Sequence, residues 1–244
     1  MKKFDCIIAC GDSYTEGHRN VLGIDISETW PAKLAKYFGV PYENLAEGGA
    51  CNLEIALQPM LKQQKQYENP LYMFNFTIDE RLLILDSILG SDFISLFSLL
   101  PGDTQHIPFS KEYRNIINYF LVKQTPQGYD GFQAHTCRAI ELAHNVKSIN
   151  PNATVLWGFI HSDNHGPQHT IFDRGGLDFD NNTHVQFPMM ENCYNSCVDH
   201  RPLQHFVTDE DLVISKEDTH PNREGIEVLA KTMIEIFKKC DLMQ

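Results

Sequence analysis

Five short apolar runs, interleaved with stretches whose apolar residues recur at helical spacing, restrict this chain to folds in which strands and helices alternate. The first run, Phe4 to Ala9, stops at Gly11-Asp12-Ser13, and Trp30 to Phe38 follows with a helical pattern. Tyr42 to Leu45 reads as a short second strand ahead of Glu47-Gly48-Gly49, with helical spacing again from Leu53 to Leu61. Leu71 to Thr77, rich in aromatics and bounded by Pro70, is the third strand, and Gly131 to Ile149 is an amphipathic helix stopped by Pro151-Asn152. Thr154 to Ile160 and Leu212 to Ile214 supply the fourth and fifth strands. Gly225 to Lys239 then closes the pattern with an apolar stripe of Ile226, Leu229, Met233, Ile236 and Phe237. This alternation implies a mainly parallel sheet covered by helices on both faces, because crossovers between parallel strands run right-handed. Ligands in such sheets bind beyond the carboxyl ends of the strands, so the loops starting at Gly11, Gly48 and Thr77 and the loop holding His220 are expected to converge.

One domain over 1–244 accommodates the whole pattern, since 42% hydrophobic and 21% charged residues describe an ordinary globular chain of this length. Two segments depart from it. Residues 82–127 read as a partly helical insertion, with Ile84 to Leu100 helical in pattern and Pro101-Gly102 and Pro108 as breaks. Residues 161–206 are rich in His, Asn, Asp and Gly with little periodicity, a length that marks a functional excursion. A net charge of −12 without a basic cluster argues against nucleic acid or a membrane surface as partner. No segment reaches the roughly 20 apolar residues of a membrane span. Seven cysteines, an odd number without framework spacing, fit a reducing compartment. Ile7-Ile8-Ala9-Cys10 is too short for a lipoprotein leader and Asp5 interrupts it, so a cytoplasmic protein with free thiols is the expectation.

Gly11-Asp12-Ser13 follows the first strand directly, where a tight turn exposes a hydroxyl and aims backbone N–H groups at a developing oxyanion. Ser13 is the candidate nucleophile. A serine hydroxyl needs a base, and Asp218-Thr219-His220-Pro221-Asn222, just before the last helix, offers His220. Together with Asn44-Leu45-Ala46-Glu47-Gly48-Gly49 between them, these segments resemble the SGNH or GDSL hydrolase superfamily from the first strand to the last helix. The resemblance implies an α/β fold, a three-layer α/β/α sandwich with a mainly parallel, flavodoxin-like sheet, here of five strands. It also implies Ser13 as nucleophile, His220 as base, and the N–H groups of Ser13 and Gly49 as an oxyanion hole. The reaction is then acyl transfer from a small-molecule or glycan ester to water, which requires no metal or organic cofactor.

Two positions depart from the family pattern. Its Gly-x-Asn-Asp block after the third strand is replaced by Phe74-Asn75-Phe76-Thr77-Ile78-Asp79-Glu80-Arg81. Asp79 stands where the asparagine would be, but an ionised carboxylate cannot donate, which leaves Thr77 or Asn52 as third oxyanion donor. Arg81 either fixes this loop or meets an anionic group of the substrate, and Asp12 lies beside the same pocket. The acid that orients the histidine belongs three residues before it, at Glu217, with Asp218 next to it. Either carboxylate can hold the imidazole in the tautomer that accepts the serine proton, with residue type favouring Asp218, and the other is expected to cap the final helix.

His161, His165 and His169 with Asp163, and Cys193 and Cys197 with His200, carry partial metal-ligand spacing. Gly166-Pro167 argues against the helix that the first set needs, and the second lacks a fourth ligand. Two other functions compete with hydrolysis. Gly11 to Gly17 could cradle a phosphate as in flavin-binding folds, although this leaves His220-Pro221-Asn222 without a role. A catalytically inactive SGNH-like domain that binds carbohydrate would account for the missing asparagine.

Overall fold

Alternate residues of the first strand are buried in two different cores: Ile7 on one face, and Cys6, Ile8 and Cys10 on the other. Both faces are therefore covered. In the computed structural model, which describes residues 4–63, 65–77, 82–86, 95–99, 129–160, 193–194 and 202–239, this strand is β1 (Cys6–Gly11). It lies between β2 (Tyr42–Asn44) and β3 (Pro70–Phe76), and β6 (Thr154–Phe159) extends the sheet beyond β3. All three pairings are parallel, with Ile7 opposite Tyr42 and Leu71, and Tyr72 opposite Val155. The order β2-β1-β3-β6 places the first crossover on one side of β1 and the next on the other. A crevice for ligands opens at such a switch point.

The near-continuous apolar strands are what a sheet buried on both faces requires. On one face, Leu71, Met73 and Leu156 join Ile7. There they meet Trp30, Leu34 and Ala35 of α3 (Trp30–Phe38) and Ile226, Leu229, Met233, Ile236 and Phe237 of α8 (Arg223–Lys239). On the other face, Tyr72, Phe74, Phe76, Trp157 and Phe159 meet α4 (Asn52–Lys62) and α5 (Tyr129–His144) through Ile55, Ala56, Ile140 and Ala143. Each large side chain taken fully out of water here contributes roughly 1.5–3 kcal/mol. The result is an α/β/α sandwich. No described helix is long and apolar enough to cross a membrane.

The structure corrects the expected sheet and insertion. The sheet has four strands among the described residues, not five. Val213 forms a single antiparallel bridge with Pro221 instead of a strand at Leu212 to Ile214, and the outer edge of β6 meets Cys193 through one parallel bridge. Three residues whose nearest backbone partners are a few positions away close a local loop more readily than a long-range strand. The insertion, expected to be partly helical, contains an antiparallel pair, β4 (Leu82–Asp86) and β5 (Ser95–Leu99), with Leu82 opposite Leu99. An apolar run of this length is ambiguous between the two structures, and Leu-Phe-Ser-Leu also suits a strand. The helix expected over Gly131 to Ile149 is divided at Asn145 into α5 and α6 (Val146–Ile149), and a short α7 (His205–Thr208) precedes α8. The Asn145 N–H reaches the Leu142 carbonyl at 3.0 Å, three residues back rather than four.

Candidate active site

The chain turns beyond β1 because Asp12 caps α1 (Ser13–Glu16). Its carboxylate accepts from the Tyr14 N–H at 3.0 Å, and its carbonyl accepts from Thr15 and Glu16 at 3.0 and 2.9 Å. Gln58 of α4 secures the turn from below, accepting from the Gly11 N–H at 2.8 Å and donating to the Gly11 carbonyl at 2.9 Å. Thr77, just past β3, donates its hydroxyl to the second Asp12 carboxylate oxygen at 2.7 Å. Ser13 is thereby fixed at the carboxyl end of the sheet, with 8% of its surface exposed.

His220 arrives from the far end of the sequence on a short closed loop. The Ile214 N–H reaches the His220 carbonyl at 2.9 Å and the Asn222 N–H reaches the Leu212 carbonyl at 3.0 Å. Asn222 caps α8: its side-chain oxygen accepts from the Gly225 N–H at 2.9 Å and its carbonyl from the Ile226 N–H at 3.0 Å. Neither Glu217 nor Asp218 has that role. Gly225 permits a close approach, because a Cβ there would lie 2.4 Å from the Leu212 carbonyl oxygen. Tyr14 donates its hydroxyl to the Thr219 carbonyl, which ties the serine and histidine loops together.

These supports place Ser13 Oγ 2.6 Å from His220 Nε2, across 207 residues of sequence. His220 Nδ1 lies 2.6 Å from Asp218 Oδ1, which also accepts from the His220 backbone N–H at 3.1 Å. Burial lowers the His220 pKa below the ordinary imidazole value, although its hydrogen bond to Asp218 works the other way. For Asp218 burial acts to raise the pKa, but the bonds from the His220 ring and backbone outweigh it and hold the carboxyl low. Near neutral pH the pair is therefore a neutral imidazole beside a carboxylate, with an Nε2 lone pair facing a hydroxyl. Glu217 points elsewhere and accepts from the Ser215 hydroxyl at 3.0 Å.

The loop after β2 reaches the same place. The Glu47 N–H binds the Gly11 carbonyl at 3.1 Å, and a Cβ on Gly48 would lie 3.7 Å from Ser13 Cβ. Gly49 has φ +84°, a backbone that suits glycine. No described group accepts from the N–H of Ser13 or of Gly49. Asn52 and Thr77 are engaged with each other instead. The Thr77 N–H donates to Asn52 Oδ1 at 2.8 Å, and Asn52 Nδ2 donates to the Thr77 carbonyl at 3.3 Å and to Thr136 Oγ1 at 2.9 Å. Arg81 and Asp79 lie outside the described residues, as do His161, Asp163, His165, His169, Cys197 and His200. Cys193 is buried in the second core.

Sequence reading missed His18, whose ring stacks on that of His220 with centroids 4.0 Å apart and planes 20° off parallel. Its Nε2 is 3.6 Å from Asp218 Oδ2. The available signal was Gly17-His18, four and five residues beyond Ser13, where a glycine lets the chain double back. Among the described residues, His18, Asp218 and His220 bring ligand atoms within 4.8 Å of one another. Both ring nitrogens of His220 are already engaged with Ser13 and Asp218.

No protein-family model matches the sequence, and no curated protein matches it. Similar solved structures include the psychrotrophic esterase EstA from Pseudoalteromonas sp., at 12% identity and TM-score 0.48, covering 96% of this chain and 97% of that one. A lipolytic protein of the G-D-S-L family from Veillonella parvula is 14% identical with TM-score 0.44, covering 96% and 98%. An acetyl xylan esterase from Butyrivibrio proteoclasticus is 13% identical with TM-score 0.41, covering 98% of this chain and 64% of that one.

Proposed function

We propose that this protein is a serine-dependent ester hydrolase of the acylesterase or deacetylase type, on the SGNH/GDSL pattern that its sequence resembles. One observation carries the reading: Ser13 Oγ, His220 and Asp218 form a continuous chain with two contacts of 2.6 Å. Ser13 is the nucleophile and attacks the ester carbonyl carbon while His220 Nε2 takes its proton. Asp218 holds the Nδ1–H and stabilises the imidazolium that forms. The carbonyl oxygen, now an oxyanion, is met by the N–H groups of Ser13 and Gly49. His220 then protonates the departing alcohol, and a water that it deprotonates attacks the acyl-Ser13 carbonyl, releasing the acid. Small-molecule and glycan esters are the substrate class.

The hydrogen bonds of the first loop weigh against a phosphate cradle. The N–H groups of Tyr14, Thr15, Glu16, Gly17 and His18 are engaged with Asp12 and Ser13. The buried Asp12 carboxylate at the base of the loop also repels an anion. The test is hydrolysis of short-chain aryl esters by wild type, Ser13→Ala and His220→Ala. Turnover well above both variants is expected; equal rates in all three overturn the reading.

A further inference from the structure

His18 occupies a conformation that a histidine rarely adopts. Gly17 has φ +89° and His18 follows at φ +48°, so two successive left-handed residues fold the chain back toward Ser13. A non-glycine residue is strained in such a backbone and persists there only when its surroundings hold it. What holds it is visible. The Gly17 and His18 N–H groups both reach the Ser13 carbonyl, at 2.9 and 3.1 Å, and the His18 carbonyl accepts from Val21 and Leu22 at 3.1 Å each. The strained turn thus opens α2 (Arg19–Leu22) and delivers one side chain, an imidazole, onto the face of His220.

Asp218 uses Oδ1 twice, for the ring and the backbone N–H of His220, and its Oδ2 faces His18 Nε2 at an ion-pair distance of 3.6 Å. His220 is therefore bounded on one side by Tyr14, with ring centroids 5.0 Å apart, and on another by His18 at 4.0 Å. We propose that His18 is a positioning residue: it covers the His220 imidazole and holds the second oxygen of Asp218, so that the loop carrying Ser13 also aligns the acid and the base. This role rests on the hydrolase reading for its effect on rate, but not for its effect on the titration of His220.

Charged groups stand on several of the described elements around His18. Asp12 and Glu16 lie on its own loop and α1, and Arg19 is paired with Glu16 at 3.4 Å. Arg223 of α8 is paired with Glu28 at 3.4 Å. Asp218 and His220 lie on the facing loop, and among the described residues Asp218 and Asp12 act to raise the His220 pKa while His18 acts to lower it. Positive charge on His18 opposes protonation of His220, and the covering ring keeps water from it. Removing His18 therefore makes His220 easier to protonate, which moves the acid limb of activity to higher pH.

The experiment uses His18→Ala, which removes ring and nitrogens, and His18→Phe, which keeps a ring cover without them. The His220 imidazole is titrated by NMR in the full-length protein, alongside pH profiles of kcat/KM and thermal melts. For His18→Ala the expected result is a His220 midpoint displaced upward by roughly half a pH unit or more, with the acid limb following it. The value of kcat is expected to fall roughly tenfold with KM within about twofold. His18→Phe is expected to fall between wild type and His18→Ala in both. A His220 titration that superimposes on wild type in either folded variant overturns the proposal. So does a melt lowered without any movement of the midpoint, since packing alone produces that. Were wild type to hydrolyse no ester, the functional reading would fail while the titration still decides the place of His18.

Discussion

Replacing Asp218 by Asn removes one charge from the proposed catalytic chain while leaving an atom in each place, and the structure sets the size of the effect. Asp218 Oδ1 lies 2.6 Å from His220 Nδ1, with side chains 34% and 24% exposed. At a charge separation of about 4 Å, a surface-like dielectric gives roughly 4 kcal/mol for carboxylate and imidazolium. Exposure of a third of the carboxylate halves that to about 2 kcal/mol after solvent screening. At about 1.4 kcal/mol per decade, kcat/KM is expected to fall roughly thirtyfold, and up to a few hundredfold if Asn also stabilises the wrong tautomer. Direction in pH follows from the same contact. The bond to Asp218 raises the His220 pKa against burial, so its loss lets the pKa fall further and the acid limb moves to lower pH. Initial rates on an aryl acetate from pH 4.5 to 8.5, with Glu217→Gln as control, read both effects. An Asp218→Asn enzyme within twofold of wild type, or a Glu217→Gln enzyme equally impaired, refutes the assignment of the acid.

The supports of the site carry further expectations. Gly225→Ala forces a methyl against the Leu212 carbonyl, 2.4 Å away, and is expected to cost about 1–3 kcal/mol in urea unfolding and to lower activity by moving the His220 loop. Melting at the wild-type midpoint with full activity would contradict it. Gln58→Ala removes the side-chain partners of the buried Gly11 N–H and carbonyl. It is expected to cost about 1–3 kcal/mol, with a loss of activity larger than that of Lys62→Ala on the same helix. Equal effects of the two would remove Gln58 from the account.

The layers of the fold were legible because buried parallel strands need unbroken apolar runs. Ile7, Leu71 and Leu156 could be placed without coordinates, and the α8 stripe at Ile226, Leu229 and Met233 followed from helical spacing. Short or ambiguous apolar segments were not legible. Leu212 to Ile214 pairs within its own loop, and Leu82 to Leu99 carries an antiparallel pair where a helix was expected. In the site, residue type and order along the chain pointed to Ser13 and His220, which lie 2.6 Å apart. The contact of Asp218 rather than Glu217 with the ring depends on a loop closed by Ile214 and Asn222, which no spacing rule contains. The placement of His18 depends on two successive positive φ angles, a backbone property that the sequence suggests only through Gly17.

The most direct measurement is the mass of the protein after treatment with a fluorophosphonate, followed by peptide mapping. An activated Ser13 yields one stoichiometric adduct on the peptide containing Gly11-Asp12-Ser13, absent in Ser13→Ala and strongly slowed in His220→Ala. An unmodified protein, or an adduct elsewhere that survives Ser13→Ala, contradicts the claim that this imidazole activates this hydroxyl.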